Sequence, residues 1–170
     1  MLGKTHLAAG IAAGAAVCLT RGLDIMPGAI CLACAGLGSL LPDIDQRNST
    51  INKVAKPVGT VVSAVAGHRT VFHDPVLYMA AAAAGLWFKP EWLLYIIAVL
   101  IGVGSHLLLD ALNPAGVPIF TLFHGPKIHL AGIHTGSGMD KFLGFFFTVV
   151  GRLALVVWLA TTVLKIWDNF

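Results

Sequence analysis

The stretch GSHLLLDALNPAGVP, residues 104–118, decides the fold, because it ends a long apolar run and carries a histidine and a carboxylate four residues apart. On a helix, His106 and Asp110 lie on one face, one turn apart. A polar pair inside an apolar helix needs a partner, and a divalent metal ion suits both side chains. The alternative is a buried histidine–aspartate hydrogen bond at a helix end.

The composition around this stretch is that of a membrane protein. The chain has 170 residues, of which 57% are hydrophobic and 11% are charged, whereas a soluble domain carries about 25% charged residues. The mean hydropathy is +0.84, and several apolar runs are long enough to cross a bilayer. We therefore expect one integral membrane domain over residues 1–170.

The apolar runs predict an all-α, polytopic bundle of about five membrane helices, at about residues 4–19, 25–41, 75–88, 91–112 and 142–166. Apolar residues at helical spacing predict one further helix, over Ile51–Val65. Because polar residues alternate with them, this helix is expected to lie in the membrane interface. Residues 115–139 are rich in Gly, Pro and His, which predicts loop or re-entrant structure.

Five crossings would place the loops on alternate sides of the membrane. One side then receives seven Lys and Arg residues and the other receives three, which predicts that the first side, with the N-terminus, is cytoplasmic. All seven histidines fall on or near that side, together with Asp43, Asp45 and Asp110. The charge count does not require this clustering, so it predicts a functional site there.

Two loops on the same side contribute further candidates. Asp43 and Asp45 follow Pro42 and could bind metal, although loop acids also cap helices. In the next loop, His68 and His73 flank Arg69, which could hold a phosphate while a histidine binds metal or moves protons. A basic loop that contacts lipid headgroups is the alternative.

The remaining polar residues give weaker signals. His6, in the first turn of helix 1, is either a ligand or an interfacial residue. His134 is the best candidate among the three histidines of the 115–139 loop, because its turn could offer backbone N–H groups to an anion. Cys31 and Cys34 form a C-x-x-C inside an apolar run, where packing is the expected role. Asp74 followed by Pro75 predicts a helix start.

Three motifs, in this order along the chain, resemble the YdjM-like family of bacterial inner-membrane proteins, to which metal-dependent hydrolysis is attributed. They are LPDID (41–45), GHRTVFH (67–73) and SHLLLDALNPAGVP (105–118). That family is held to be distantly similar to zinc-dependent phospholipase C and P1 nuclease, which are helical enzymes whose clustered zinc ions are held by His and Asp.

The resemblance implies a metal shell made of Asp43 or Asp45, His68, His106 and Asp110, with His6 as a ligand from the N-terminal segment. The sequence has no second H-x-x-x-E helix motif, so one or two divalent ions, zinc first, are expected rather than three. His73-Asp74 stands where the family usually has His-Ser, which leaves the role of Asp74 open.

We therefore expect a hydrolase that cleaves a phosphoester of a membrane lipid or a related amphiphile, with metal-activated water. Asp45 or His73 would be the general base or orient a ligand, and Arg69 would bind the phosphate. The alternatives are a divalent-metal or proton-coupled transporter and a non-catalytic adaptor with a structural metal. We expect membrane lipid as the partner and no nucleic acid, and leave a homo-oligomer open.

Overall fold

Five α-helices dominate the computed structural model, which describes residues 1–45, 49, 71–120 and 125–168. Their bounds are Gly3–Thr20 (α1), Ile25–Gly38 (α2), Pro75–Phe88 (α3), Leu93–Ala111 (α4) and Gly138–Trp167 (α5). The predicted all-α class is confirmed. The predicted interfacial helix over Ile51–Val65 lies outside the described residues.

Short elements occupy the connections between these helices. Three 3₁₀ helices cover Leu41–Asp45, Val71–His73 and Pro90–Trp92. Inside the predicted loop at 115–139, Val117–Pro118 (β1) pairs antiparallel with Lys127–Ile128 (β2). The described parts of these connections therefore contain short regular elements that the sequence pattern did not predict.

Two helix ends differ from the predicted ones for local reasons. α2 ends at Gly38 rather than near residue 41, because Pro42 has no N–H to donate to the carbonyl of Gly38. The chain continues as the 3₁₀ helix Leu41–Asp45. α5 begins at Gly138 rather than near residue 142, because the Ser137 hydroxyl accepts a hydrogen bond from the amide of Asp140. The predicted start of α3 is confirmed: Asp74 caps it by accepting from the amide of Val76 at 3.0 Å.

α1 lies at the centre of the bundle and packs against α2, α4 and α5, whereas α3 packs against α4. Small residues allow α2 and α4 to meet at backbone distance. A Cβ on Gly102 of α4 would overlap the carbonyl oxygen of Ala35 and the amide nitrogen of Ser39. This contact fixes the height of α4 against the end of α2, and His106 lies one turn further along.

The two ends of the bundle differ in polarity. Cys18 and Cys31 are fully buried in an apolar cluster with Ala98 and Trp158, and the cysteines are free. The Trp158 indole N–H donates to the Leu23 carbonyl at 2.7 Å. Cys31 therefore packs in this cluster, as the sequence predicted, and the ionisable residues described below lie toward the other end.

Two helices are long and apolar enough to cross a membrane, Pro90–Ala111 and Gly138–Trp167. The second has 30 residues and is about 45 Å long. α2 and α3 are apolar but have 14 residues each, which is shorter than the roughly 20 residues of a typical span. Among the described residues, two of the five predicted crossings are therefore long and apolar enough to span a bilayer.

Candidate metal centre

Four separate elements bring five ionisable side chains into one buried cluster. His6 comes from the first turn of α1, Asp43 from the 3₁₀ helix Leu41–Asp45, His73 from the 3₁₀ helix Val71–His73, and His106 and Asp110 from the last turns of α4. All five are buried. The sequence proposed each of these residues for the site, and the structure places them together.

Four donor atoms of the cluster face one another. The Nε2 atom of His73 lies 3.6 Å from Oδ2 of Asp110 and 3.9 Å from Oδ1 of Asp43. The Nε2 atom of His106 has the same two distances, 3.6 Å to Asp110 and 3.9 Å to Asp43. Each of the two Nε2 atoms therefore lies near an oxygen of both carboxylates, and all four distances exceed those of a good hydrogen bond.

A hydrogen bond sets the tautomer of His106. Its Nδ1 lies 2.7 Å from the carbonyl oxygen of Ser39. Because a carbonyl oxygen can only accept, Nδ1 carries the proton, and in the neutral ring Nε2 has a free lone pair. That lone pair is directed toward the carboxylates of Asp43 and Asp110. Metal-binding histidines are usually oriented in this way by a backbone carbonyl.

His6 lies on the opposite side of Asp110. Its ring stacks on that of His106, with centroids 3.7 Å apart and planes 14° apart. Its Nε2 atom lies 3.3 Å from Oδ1 of Asp110, and the same oxygen is 2.5 Å from the α-amino nitrogen of Met1. The two oxygens of Asp110 therefore face different partners, which would allow this carboxylate to bridge two ions.

The geometry passes a simple test for a metal ion. Two ligand atoms about 2.1 Å from one tetrahedral ion lie about 3.4 Å apart, and the donor pairs around Asp110 are 3.3–3.6 Å apart. Nε2 of His106 and Nδ1 of His6 are buried without a hydrogen-bond partner among the described residues. Such atoms are costly unless something binds them. His6, His106 and Asp110 form one possible ligand group, and Asp43, His73 and His106 form another.

Asp140, which the sequence analysis did not select, supports this cluster. Its side chain is fully buried. Oδ1 accepts the hydroxyl of Thr5 at 2.8 Å, and Oδ2 accepts the amides of Leu2 at 3.0 Å and Gly136 at 2.7 Å. These bonds tie the start of α5 to the first turn of α1, directly beside His6. A signal was present, since Ser137-x-x-Asp140 before an apolar run is a capping-box pattern.

The other predicted residues lie elsewhere. His129 and His134 are exposed and outside the cluster. In the turn that follows His134, the amide of Gly136 donates to Asp140 and is therefore not available to an anion. The possible role of His134 stays a prediction. Asp74 acts as the cap of α3.

Some candidates cannot be placed. His68, Arg69 and His124 lie outside the described residues, as does the side chain of Asp45. The predictions for these residues therefore stay predictions.

Comparison with known proteins gives matches over most of the chain. A family model described as "YdjM inner membrane protein" matches residues 1–167. The chain is 32% identical over 119 residues to the YvsG protein of Bacillus subtilis (strain 168), which covers 70% of this chain and 72% of that protein.

A second relative has a membrane location in its name. The chain is 35% identical over 101 residues to the inner membrane protein YdjM of Escherichia coli (strain K12), which covers 56% of this chain and 47% of that protein. The chain thus matches about half of that relative's length. No solved structure matches the chain.

Proposed function

The chain belongs to the YdjM family of inner membrane proteins, and from this premise we propose that it is a membrane-bound, metal-dependent hydrolase. Its substrate is a phosphoester of a membrane lipid or a related amphiphile. The observation that carries the proposal is the buried set of His73, His106, Asp43 and Asp110, in which each imidazole Nε2 atom lies 3.6–3.9 Å from an oxygen of both carboxylates.

The residues of the site have two proposed roles: some are metal ligands, and others orient those ligands. His73, His106, Asp43 and Asp110 would hold one or two divalent ions, and zinc suits their imidazole and carboxylate donors. His6 is placed at the second oxygen of Asp110, where it can share another ion. The Ser39 carbonyl fixes the ring of His106, and Asp140 fixes the segment that carries His6.

A bound divalent ion would supply an activated water and would polarise the phosphoryl oxygens. Hydrolysis then forms a bond from the water oxygen to phosphorus and breaks the bond to the alcohol, which leaves with a proton. Because Nε2 of His73 lies within the donor set, we assign His73 to the metal and Asp45 to the proton. Arg69 remains our proposed phosphate-binding residue.

The proposed topology is multi-pass, with the N-terminus and the site on the cytoplasmic side, because the excess of Lys and Arg falls there. His6 and Asp43 then lie at the same level as the end of α4. The cluster is buried but lies near the predicted membrane interface, where lipid headgroups are found, because α4 ends at Ala111 and the polar Asn113 follows two residues later.

The test uses the purified full chain. Bound metal is measured by mass spectrometry, and release of phosphate or headgroup is measured from vesicles of mixed phospholipids. We expect His106→Ala and Asp110→Ala to lower both metal affinity and turnover by about a hundredfold or more. His129→Ala, which changes an exposed histidine outside the cluster, should leave both unchanged.

Three outcomes would contradict the proposal. Hydrolysis that survives both substitutions would place the chemistry elsewhere. Bound metal without turnover on any phosphoester would favour a non-catalytic adaptor. Metal uptake into sealed vesicles would favour a transporter.

A further inference from the structure

An apolar groove lies against the cluster, between α3 and α4. Its volume is about 400 Å³, which is within the range of small-molecule sites. α3 contributes Leu77, Ala81 and Ala82, and α4 contributes Ile96 and Leu100. No charged residue lines the groove in the described part of the chain.

The two 3₁₀ helices that supply metal ligands also wall this groove. In the helix Leu41–Asp45, Asp43 joins the buried cluster, whereas its neighbours Leu41 and Ile44 line the groove. In the helix Val71–His73, His73 joins the cluster, whereas Phe72 lines the groove. The same two 3₁₀ helices therefore contribute to both sites, and the apolar groove lies directly beside the polar cluster.

The hydrogen bonding of the lining favours an apolar occupant. Tyr78 lines the groove, and its hydroxyl donates to the carbonyl of Phe72 at 2.8 Å. The other lining side chains are aliphatic or aromatic. A polar ligand would give up its hydrogen bonds to water in this groove and gain no others. A hydrocarbon chain makes no hydrogen bonds, so it would not pay this cost.

The position along α4 matches the shape of a lipid. Leu100 lies six residues before His106, which is a rise of about 9 Å along the helix axis. A hydrocarbon chain that lies along Ile96 and Leu100 would therefore end in a polar group near His106 and Asp110. α4 is also one of the two helices that are long and apolar enough to cross a bilayer, so in a membrane the groove along it would lie at the depth of the acyl chains.

We infer that this groove holds one acyl chain of a glycerophospholipid, so that the phosphoester of that lipid is positioned at the His73, His106, Asp43 and Asp110 cluster. The inference rests on the proposed hydrolase function and names the substrate class of the same site. Bilayer lipid is as apolar as the groove. The groove therefore acts by orienting the acyl chain and not by extracting the lipid from the membrane.

Two alanines of α3 provide a matched pair of variants. Ala81 and Ala83 are both exposed residues of the same helix. Ala81 lines the groove, whereas Ala83 does not and is about 200° further around the helix. Ala81→Phe adds a ring inside the groove, and Ala83→Phe adds the same ring on the other face of α3.

The first readout does not need turnover. Each full-length protein is reconstituted in nanodiscs that contain phosphatidylglycerol with a photoreactive group on one acyl chain, and the labelled peptides are identified by mass spectrometry. We expect labelling to concentrate on peptides from residues 75–88 and 93–111. Ala81→Phe should lower this labelling, and Ala83→Phe should not. Equal labelling of α3, α4 and the lipid-facing α5, unchanged by Ala81→Phe, would overturn the inference.

The second readout compares two substrates, the phospholipid and a phosphodiester without an acyl chain. Since a displacement of about 1 Å can cost about a hundredfold in rate, Ala81→Phe should lower the ratio of the two rates by about that factor. A ratio of rates unchanged by Ala81→Phe would contradict the inference that the groove binds an acyl chain of the substrate. Selective labelling without turnover of either ester would contradict the proposed hydrolase and leave the acyl-chain site standing.

Discussion

Asp110 and Asp140 are both buried carboxylates next to the N-terminal segment, yet their surroundings differ. Asp140 accepts three hydrogen bonds, from the hydroxyl of Thr5 and from the amides of Leu2 and Gly136. Asp110 accepts one such bond, from the α-amino group of Met1 at 2.5 Å, and otherwise faces three imidazoles at 3.3–3.6 Å. A carboxylate whose oxygens are matched by donors stabilises a structure, whereas Oδ2 of Asp110 faces the Nε2 lone pair of His106, and a cation between the two atoms would stabilise that arrangement. The comparison separates a structural acid from a candidate ligand.

The largest expected difference between the two carboxylates is in metal affinity. Asp110→Asn removes a charged ligand and should weaken zinc binding by about a hundredfold or more, since even residues that only orient a ligand cost about 10- to 100-fold. Competition with a fluorescent chelator measures the affinity. Asp24→Asn, which changes an exposed aspartate, is the control. An equal loss of zinc affinity in Asp140→Asn and Asp110→Asn would contradict the assignment of Asp110 as a metal ligand and Asp140 as a structural residue.

The Asp110 cluster also depends on a backbone contact that the Asp140 network lacks. Gly102→Ala places a Cβ against the carbonyl of Ala35 and the amide of Ser39, which cannot rotate away. We expect a loss of about 2–3 kcal/mol in the free energy of unfolding. Zinc affinity should also fall, because the Ser39 carbonyl would move away from His106.

Gly104→Ala is the matched control for this change, because its Cβ would meet no atom within 4 Å. In the same helix, this substitution should stabilise by about 0.5–1 kcal/mol. Denaturant titration in detergent, followed by circular dichroism, measures both variants. Equal stability of the two variants would contradict the close contact between α2 and α4.

Asp140→Asn should act chiefly on stability. The amide group retains one acceptor oxygen but presents an NH₂ group to backbone N–H donors, so at least one charge-assisted hydrogen bond is lost. Such bonds contribute about 1.5–3 kcal/mol each, and we expect a loss of about 2 kcal/mol by the same titration. Zinc affinity should fall by no more than about tenfold, because Asp140 reaches the cluster only through the segment that carries His6. Unchanged stability would show that the three bonds do not support the fold.

The sequence predicted the cluster better than it predicted the support around it. His106 and Asp110 could be paired from helical spacing alone, and the common side of the membrane added His6, Asp43 and His73. The donors to Asp140 could not be predicted in this way, because Thr5 is 135 residues away along the chain. The N–H groups of Leu2 and Gly136 carry no sequence signal at all.

The same limit applies to helix ends and to the groove. The Asp74-Pro75 start of α3 was predictable because its cap is local. The start of α5 at Gly138 has an equally local cap in Ser137, and the apolar run that begins later obscured it. Leu41 and Ile44 both line the groove because residues three apart lie on the same side of a 3₁₀ helix. An extended loop, which the sequence pattern allowed equally, would turn them to opposite sides.

The smallest expected effect concerns the hydroxyl of Thr5, which donates to Oδ1 of Asp140 at 2.8 Å. Thr5→Val keeps the shape of the side chain and removes the donor, so it should cost about 1 kcal/mol. Thr5→Ser keeps the hydroxyl and should cost less. In a double-mutant cycle with Asp140→Ala, the effect of Thr5→Val should largely vanish, because its acceptor is already gone. Additive losses would mean that Thr5 stabilises α1 independently of Asp140. In that case Asp140 would hold the segment of His6 through the amide of Leu2 alone.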